Sequence, residues 1–381
     1  MKPFVIEVSD NVLKDLRERL SRTRFPDQLD GADWDYGTEL GYLRELCAYW
    51  IEKFDWREQE RALNRFDHYR TDIDGLGIHF IHQQSHVAKA LPLIITHGWP
   101  GSVFEFAKIL GPLTDPEAHG GNAEDAFHVV CPSMPGYGFS DAPKDPGFDI
   151  EHVAGVNKKL MEQLGYARYG AQGGDWGAPA TAWLALKDPA RVCGIHLNMV
   201  LGQRPKDPDG APELSDDENQ RLEAARAFNR TETGYQRIQG TKPQSLGYGL
   251  NDSPAGLAAW IVEKFRTWSD CDGDVESRFT KDELLTNIMI YWINGNITSS
   301  MRLYYESMKS RRFGPPEGYV KAPTGFAVFP AELTRLPRSW AENRFNVTRW
   351  TEMPRGGHFA AMEEPGLFVE DIRDFFRDLR G

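Results

Sequence analysis

The sequence predicts an α/β fold, in which a mostly parallel sheet carries helices on both faces. Three short apolar runs, each typical of a strand, end in glycine-rich turns: ALPLIITHGWPGS, AFHVVCPSMPGYGFS and ARYGAQGGDWG. Helix-like segments such as SVFEFAKILGPL and IEHVAGVNKKLMEQLG separate these runs. Strands that alternate with helices indicate a parallel sheet, and such a sheet binds its ligand at the carboxyl ends of its strands. We therefore expect the glycine-rich turns to surround a functional site.

The order of the elements divides the chain into four parts. Residues 1–65 predict a polar helical extension, in which SDNVLKDLRERLSRTRF begins with a Ser/Asp cap. Residues 66–200 form the first part of the core, where FDHYRTDI and GIHFIHQQ flank the turn signal Asp74-Gly75 and VCGIHLNMV adds a later strand. Residues 201–316 lose this alternation and predict an inserted helical lid that is rich in aromatic residues. The strand pattern returns within residues 317–381, in APTGFAVFP and NVTRWTEMPRGGHF, before the amphipathic helix FVEDIRDFFRDLR.

Composition excludes several classes of function. The 381 residues carry a net charge of −12, which disfavours binding to nucleic acid or to anionic membranes. The first apolar run breaks at Glu7, so we expect no signal peptide or membrane anchor. The cysteines show no CxxC spacing, so we expect neither a disulfide framework nor a zinc site; they are Cys47, Cys131, Cys193 and Cys271. A soluble protein of the reducing cytoplasm fits these features.

The segment GGDWG has the pattern small-x-Asp-x-small, with Asp175 at its centre. It follows a strand-like run and precedes a helix-like one, which is the context of the nucleophile elbow in α/β-hydrolases. That elbow usually presents a serine. An ordinary glycine-rich turn is the alternative interpretation, and the motif by itself does not decide between the two.

Two further residues are candidates for a catalytic triad with Asp175. His358, in MPRGGHFAAMEEP, follows the last strand-like run and precedes the final helix, which is the chain position of the α/β-hydrolase base. A purely structural histidine is the alternative. Glu332 follows the strand-like TGFAVFP and is the carboxylate best placed to orient the imidazole. It could equally begin a surface helix, AELTRL, where an acidic residue suits the helix dipole.

Backbone N–H groups near the elbow are candidates for an oxyanion hole. This site usually combines the N–H after the nucleophile, here that of Trp176, with one from the loop after an earlier strand. The loop HGWPGS supplies the N–H of Trp99. We expect His97, in the same loop, to make structural hydrogen bonds and not to act as the base.

A carboxylate at the elbow suits a particular chemistry. It can displace a leaving group at an sp³ carbon and form an alkyl ester, which water then hydrolyses at the aspartyl carbonyl. Both an epoxide and a carbon–halogen bond fit this scheme. An epoxide oxygen needs a proton donor, which a tyrosine can supply. The lid offers several tyrosines among which composition cannot choose: Tyr235, Tyr248, Tyr291, Tyr304 and Tyr305.

The chain resembles the microsomal-type epoxide hydrolases along nearly its whole length. The resemblance rests on FVIEVSDNVLKDLRERLSRTRFPD, THGWPGS, PSMPGYGFSD, GAQGGDWGA, GYQRIQGTKPQSLGYGLNDSPAGLAAWIVEKF, PTGFAVFPAEL and RGGHFAAMEEP. It implies Asp175 as nucleophile, His358 as base and Glu332 as its charge partner. It also implies that Tyr235 and Tyr304 activate the epoxide oxygen. Tyr304 is preferred to Tyr305 because the motif places it two residues after Arg302.

The resemblance also implies a substrate class and a set of partners. The reaction would convert a hydrophobic or aromatic epoxide and water into a vicinal diol, without a cofactor or metal. We expect an apolar pocket, lined by His97, Trp99, Pro100, Trp176 and Tyr235. The role would be detoxification or natural-product biosynthesis, and a homodimer is the candidate assembly. Mammalian microsomal members carry a membrane anchor that is not visible here, so their localisation is not carried over.

Three alternatives stay open at this point. A haloalkane dehalogenase would use the same nucleophile on a different leaving group. A ligand-binding protein could keep the fold without turnover, since fold does not fix function. A serine esterase would need Ser102 or Ser140 as its nucleophile, and neither residue lies in an elbow context.

Overall fold

A single mixed sheet organises the protein. The computed structural model describes residues 1–205 and 213–380, so residues 206–212 of the predicted lid lie outside the described residues. Among the described residues the strands are β1 (Lys2–Pro3), β2 (His68–Ile73), β3 (Leu76–Gln83), β4 (Leu91–Thr96), β5 (Phe127–Pro132), β6 (Tyr169–Gly173), β7 (Val192–Leu197), β8 (Val320–Val328) and β9 (Phe345–Glu352). Their order across the sheet is β1-β2-β3-β5-β4-β6-β7-β8-β9.

The strand pairing confirms the predicted α/β fold. In the part of the sheet ordered β5-β4-β6-β7-β8-β9, all neighbouring strands are parallel. Strands β1, β2 and β3 add an antiparallel edge. Asp74 and Gly75 join β2 to β3 with φ angles of 55° and 81°, as a tight hairpin turn with positive φ at both central residues requires. Strand β1 was not expected, because two residues carry no periodic signal. It pairs with β2 at the edge of the sheet.

Helices surround the sheet, and six of those in the described part of the chain are inserted between β7 and β8. The helices are α1 (Asp10–Ser21), α2 (Leu40–Glu52), α3 (Trp56–Leu63), α4 (Ala107–Thr114), α5 (Ile150–Gln163), α6 (Gly177–Lys187), α7 (Asp216–Thr231), α8 (Gly234–Gln239), α9 (Pro243–Asp252), α10 (Pro254–Trp268), α11 (Lys281–Asn294), α12 (Ile297–Lys309), α13 (Arg338–Glu342), α14 (Ala360–Glu363) and α15 (Pro365–Arg377). Short 3₁₀ turns occur at Val103–Phe106, Glu117–His119, Ala123–Asp125 and Val275–Ser277. We refer to α7 to α12 as the lid.

The helix ends follow from local sequence, with one difference from expectation. Helix α11 begins with a complete capping box, in which Thr280 and Glu283 satisfy each other's backbone N–H groups. Glu39 caps helix α2, and its carboxylate accepts hydrogen bonds from two N–H groups of the first turn. Ser9 precedes α1 as expected, but its side chain makes no capping hydrogen bond. Burial of Leu16 and Leu20 holds that helix instead.

The N-terminal segment, residues 1–65, packs on the lid. Leu46 and Trp50 of α2 belong to the same hydrophobic cluster as Leu257 and Ile261 of α10. Thr38 Oγ1 adds a hydrogen bond of 2.7 Å to the carbonyl oxygen of Ala259. Helix α2 also contacts α11. The lid is therefore held between this segment and the core. Across residues 1–205 and 213–380, no helix is both long and apolar enough to cross a membrane.

Candidate active site

Asp175 occupies a strained turn between strand and helix. Strand β6 ends at Gly173 and helix α6 begins at Gly177, with Asp175 between them at a φ of 46°. A positive φ is uncommon for a residue other than glycine and concentrates at functional sites. A Cβ on Gly177 would lie 1.9 Å from the carbonyl oxygen of Thr96, so only glycine allows the helix to start so close to β4. The local pattern therefore folds as an elbow that projects one carboxylate.

The carboxylate of Asp175 is held at both oxygens. The N–H of Trp99 donates a hydrogen bond of 2.8 Å to Oδ1. His358 Nε2 lies 3.4 Å from Oδ2. The side chain of Asp175 keeps 18% of its surface exposed, so the group remains open to a ligand. This arrangement fixes the orientation of the carboxylate but leaves it accessible to a ligand.

Glu332 orients His358 from the other side of the ring. His358 Nδ1 lies 2.9 Å and 3.1 Å from the two carboxylate oxygens of Glu332. A carboxylate only accepts hydrogen bonds, so Nδ1 carries a proton and Nε2 faces Asp175. Glu332 is buried in a loop after β8, and no helix forms over AELTRL. The surface-helix alternative for Glu332 is therefore wrong.

The charge of its two neighbours decides the protonation of His358. Burial is the largest single influence and acts to lower the pKa of the imidazole. The charges of Glu332 and Asp175 and their hydrogen bonds together outweigh it, so the pKa of His358 lies well above its ordinary value. The substrate-free site therefore favours an imidazolium between two carboxylates.

Two tyrosines of the lid share a cavity with Asp175. The cavity has a volume of about 290 Å³ open to the centre of a water-sized sphere. Tyr235 of α8 and Tyr304 of α12 line it together with Trp176. The ring of Tyr235 stacks on that of Trp99 at 5.3 Å, and the ring of Tyr304 meets that of Trp176 edge-on at 4.8 Å. The phenols are thus held by aromatic packing beside the carboxylate.

Burial and the charge of Asp175 keep both phenols protonated. Desolvation is the larger cause and raises the pKa of Tyr235 above its ordinary value, and the negative charge of Asp175 adds to the effect. The pKa of Tyr304 is raised by burial first, and then by the neighbouring Tyr235 and Asp175. Protonated phenols are hydrogen-bond donors, which is the state that a ring oxygen requires.

The other lid tyrosines lie elsewhere. Tyr305 is 36% exposed and Tyr248 is 72% exposed, so both face away from the core. Tyr291 is buried, but its hydroxyl group donates a hydrogen bond of 2.7 Å to the carbonyl oxygen of Gly101. The structure thus brings Tyr235 and Tyr304 to Asp175, and it does not bring Tyr305.

Hydrogen bonds to neighbouring residues fix the backbone of the loop HGWPGS. His97 Nδ1 donates to the carbonyl oxygen of Gly98 over 2.9 Å, and His97 Nε2 accepts the N–H of Met134 over 3.2 Å. Burial lowers the pKa of His97 to about 4, so this imidazole is neutral and fully used by structural bonds. Asn287 of α11 donates to the carbonyl oxygen of Pro100 over 2.7 Å.

The predicted pocket wall is divided between two cavities. Trp176 and Tyr235 line the larger cavity with Asp175. His97 and Trp99 line a smaller cavity that also reaches Asp175. Pro100 lines neither cavity in the described part of the chain, because its carbonyl group is turned to the lid. The place of Pro100 in the pocket wall stays a prediction.

The serines weighed as alternative nucleophiles have structural partners. Ser102 Oγ donates to Asn287 over 2.9 Å, and Ser140 Oγ donates to the carbonyl oxygen of Ser133 over 2.7 Å. Neither hydroxyl bonds to His358 in the described part of the chain, so the serine-esterase alternative lacks its base. Within the same ranges, no cluster of three or more His, Cys, Asp or Glu side chains could hold a metal ion.

Several residues around Asp175 were not predicted from the sequence. Glu105, Gln172 and Asn198 line the smaller cavity, and Phe313 of the lid region lines the larger one. The spacing Ser102-x-x-Glu105 is a capping-box signal that could have drawn attention to Glu105. The others carry no local signal, since the fold alone brings them to the elbow.

The protein has the three features that define the α/β-hydrolase class. These are a parallel sheet, an elbow at the end of β6, and the His358–Glu332 pair at the ends of β9 and β8. Two family models match the chain accordingly: "alpha/beta hydrolase fold" matches residues 92–313, and "Epoxide hydrolase N terminus" matches residues 1–106. The sequence is 41% identical to epoxide hydrolase 1 of Sus scrofa, over 98% of this chain and 88% of that protein.

Solved structures agree with the sequence comparison. The crystal structure of juvenile hormone epoxide hydrolase from the silkworm Bombyx mori matches with a TM-score of 0.91 and 35% identity, over 100% of this chain and 94% of that one. The structure of Aspergillus niger epoxide hydrolase matches with a TM-score of 0.87 and 30% identity, over 99% of this chain and 96% of that one. The protein therefore belongs to the epoxide hydrolases, enzymes that add water to an epoxide.

Proposed function

We propose that the protein opens a hydrophobic epoxide to a vicinal diol through an alkyl ester on Asp175. A carboxylate oxygen of Asp175 attacks a ring carbon as the C–O bond of the ring breaks. The leaving oxygen takes a proton from Tyr235 or Tyr304. The observation that carries the proposal is the sharing of one cavity by Asp175 and both phenols.

The second half of the proposed reaction hydrolyses the ester. His358 removes a proton from a water molecule, whose oxygen attacks the aspartyl carbonyl carbon. The N–H groups of Trp99 and Trp176 receive the negative charge on the carbonyl oxygen. Support comes from the existing hydrogen bond between Trp99 N–H and Asp175 Oδ1, since this donor already points at the oxygen on which charge would develop.

The larger cavity favours a bulky apolar substrate. Its wall includes Trp176, Phe228, Leu201, Phe313 and Leu333, and its polar side chains besides Asp175 and the two phenols are Asn229, Thr233, Gln236 and Thr334. An aromatic or otherwise hydrophobic epoxide would bury its apolar part against these side chains. The diol would serve detoxification or the biosynthesis of a secondary metabolite.

The proposal is tested by trapping the ester in the variant His358→Gln. Without the base, Asp175 can still be alkylated but water is not activated, so the ester should accumulate. Intact-mass spectrometry after exposure to a panel of terminal epoxides should show an adduct equal to the whole epoxide, with peptide mapping to Asp175. The double variant Asp175→Asn, His358→Gln is the matched control and should show no adduct.

The other outcomes would assign a different chemistry. An adduct from a haloalkane equal to its mass minus the halide, with none from any epoxide, would indicate dehalogenation at the same carboxylate. An epoxide adduct that maps to another residue, or that persists in the double variant, would contradict Asp175 as the nucleophile.

A further inference from the structure

A second, smaller cavity lies beside Asp175 and is lined by residues of the core. Its volume open to the centre of a water molecule is about 20 Å³, which is room for about one water. His358 and Glu105 line it together with Asp175. Asp175 is the one residue common to the linings of the two cavities in the described part of the chain. Substrate and hydrolytic water can therefore reach this carboxyl group from different spaces.

The fold makes room for the Glu105 carboxyl group at this place. A Cβ on Gly101 would lie 1.2 Å from Glu105 Oε1, so any other residue at that position would displace the carboxyl group. The backbone N–H of Ser102 favours the ionised form of this carboxyl group, and Ser102 Oγ accepts the N–H of Phe104. Ser102 and Glu105 thus form a capping arrangement at the start of the 3₁₀ turn, which holds one end of the carboxyl group in place.

The electrostatic surroundings of Glu105 tie it to both reacting groups. Its side chain keeps some accessible surface, as a cavity-lining group does, yet the surrounding protein removes most of its hydration. This desolvation is the main cause that raises the pKa of Glu105 to about 8. The positive charge of His358 acts to lower the pKa, and the negative charge of Asp175 acts to raise it.

An unpartnered polar atom belongs to the same cavity wall. Gln172 lines the cavity and donates a hydrogen bond of 2.8 Å to Asn198 through Nε2. Its Oε1 is buried and has no hydrogen-bond partner among residues 1–205 and 213–380. Buried polar atoms are nearly always satisfied by protein or by ordered water, so this atom points to a hydrated cavity.

From this geometry we propose that Glu105 positions the hydrolytic water, accepting one of its hydrogens while His358 Nε2 accepts the other. The inference rests on the proposed ester mechanism. The water oxygen bonds to the aspartyl carbonyl carbon, and its first proton passes to His358. The ester C–O bond then breaks, and the departing alkoxide takes that proton to give the diol. Glu105 holds the second hydrogen in a hydrogen bond while that hydrogen stays on the oxygen that enters the Asp175 carboxyl group. This carboxyl group then gives up the hydrogen as a proton to the tyrosinate formed in ring opening, which restores the phenol and the ionised Asp175, and Glu105 is unchanged.

Glu105 can fill this role in either protonation state. A carboxyl group keeps an acceptor oxygen when it is protonated, so Glu105 can accept a hydrogen of the water whether or not it is ionised. The role therefore depends on the place of the carboxyl group in the cavity wall.

The test is the variant Glu105→Gln, followed by rapid quench and mass spectrometry of the Asp175 adduct. The amide oxygen of glutamine can still accept the N–H of Ser102, so the turn should keep its cap. The adduct should form at a rate within about threefold of the unaltered protein and decay about a hundredfold more slowly, as a misplaced reactant does. In steady state, kcat and KM should fall together because the ester accumulates.

Glu363→Gln is the matched control for a buried carboxyl group near His358. Burial raises the pKa of Glu363 to about 7, and its carboxyl group accepts the N–H groups of Phe359 and Asp270. It does not line the small cavity in the described ranges, so adduct decay in this variant should stay near that of the unaltered protein.

Three results would overturn the role of Glu105: unchanged adduct decay in Glu105→Gln, equal slowing in Glu363→Gln, or equal loss of adduct formation and decay in Glu105→Gln. The proposed function fails by a separate result, namely the absence of an Asp175 adduct in His358→Gln. The two failures are therefore distinguishable.

Discussion

Asp175 and His358 are coupled through charge, and the proposed reaction changes that coupling between its two halves. While Asp175 is ionised, it helps Glu332 to hold His358 as an imidazolium against the opposing effect of burial. Ester formation removes the charge of Asp175 but leaves that of Glu332. The pKa of His358 should then fall, so the imidazole becomes an available base at the step that needs one.

This coupling predicts the titration of His358 in the variant Asp175→Asn. The amide has nearly the shape of the carboxylate but no charge, so it imitates the electrostatics of the ester. We expect the pKa of His358 to be lower than in the unaltered protein, with turnover abolished. NMR titration of the ring proton signals measures this shift, and Asp374→Asn, on the distant helix α15, serves as a charge-matched control. An equal pKa in both variants would contradict the coupling.

Some of the site residues could be predicted from the sequence alone, and others could not. The elbow and RGGHF each carry a local pattern, so Asp175 and His358 could be assigned to the strand ends where they lie. Glu332 could not be separated from a helix start, because AELTRL favours a helix locally and only the loop after β8 buries its carboxylate. Glu105 was missed because the fold, and not sequence spacing, brings it to the same cavity as His358.

The lid contributes its two candidate proton donors from separate helices. Tyr235 lies on α8 and Tyr304 on α12, and their ring centroids are 6.1 Å apart. Neighbouring residues of a helix differ by about 100° in direction, which is why Tyr304 faces the cavity while Tyr305 is exposed. Composition could not choose between the two, since the choice depends on how α12 is rotated against the core, and only the family resemblance favoured Tyr304.

The variants Tyr235→Phe and Tyr304→Phe should slow ring opening and leave ester hydrolysis nearly unchanged. Each loses a hydroxyl group that could donate to the ring oxygen, and loss of a general acid costs about 10²–10⁴ in rate. The remaining phenol should limit the loss to the lower end of this range. Rapid-quench measurement of adduct formation and decay separates the two steps. Tyr305→Phe is the control, and a comparable effect in that variant, or equal slowing of both steps, would argue against the assignment.

Across the whole molecule, the N-terminal segment stabilises the lid against which the site is built. Helix α2 packs on α10, and the carbonyl oxygen of Trp268 at the end of α10 accepts the N–H of His358 over 2.9 Å. A continuous path of packing therefore runs from residues 1–65 to the loop that carries His358. Sequence predicted the helices of this segment but not what they cover, because an amphipathic pattern does not name its partner. The homodimer stays a prediction.

This arrangement predicts that Leu46→Ala destabilises the protein although Leu46 is far from Asp175 in sequence. Leu46 is fully buried in the cluster shared with α10, and removal of such a side chain costs about 2–5 kcal/mol through lost burial and the remaining cavity. Ile51 lies on the same helix but is 37% exposed, so Ile51→Ala should cost much less. Urea unfolding of the two variants measures the difference in the free energy of unfolding. Equal midpoints would mean that α2 only covers the lid, whereas a selective loss in Leu46→Ala would show that the N-terminal segment holds it in place.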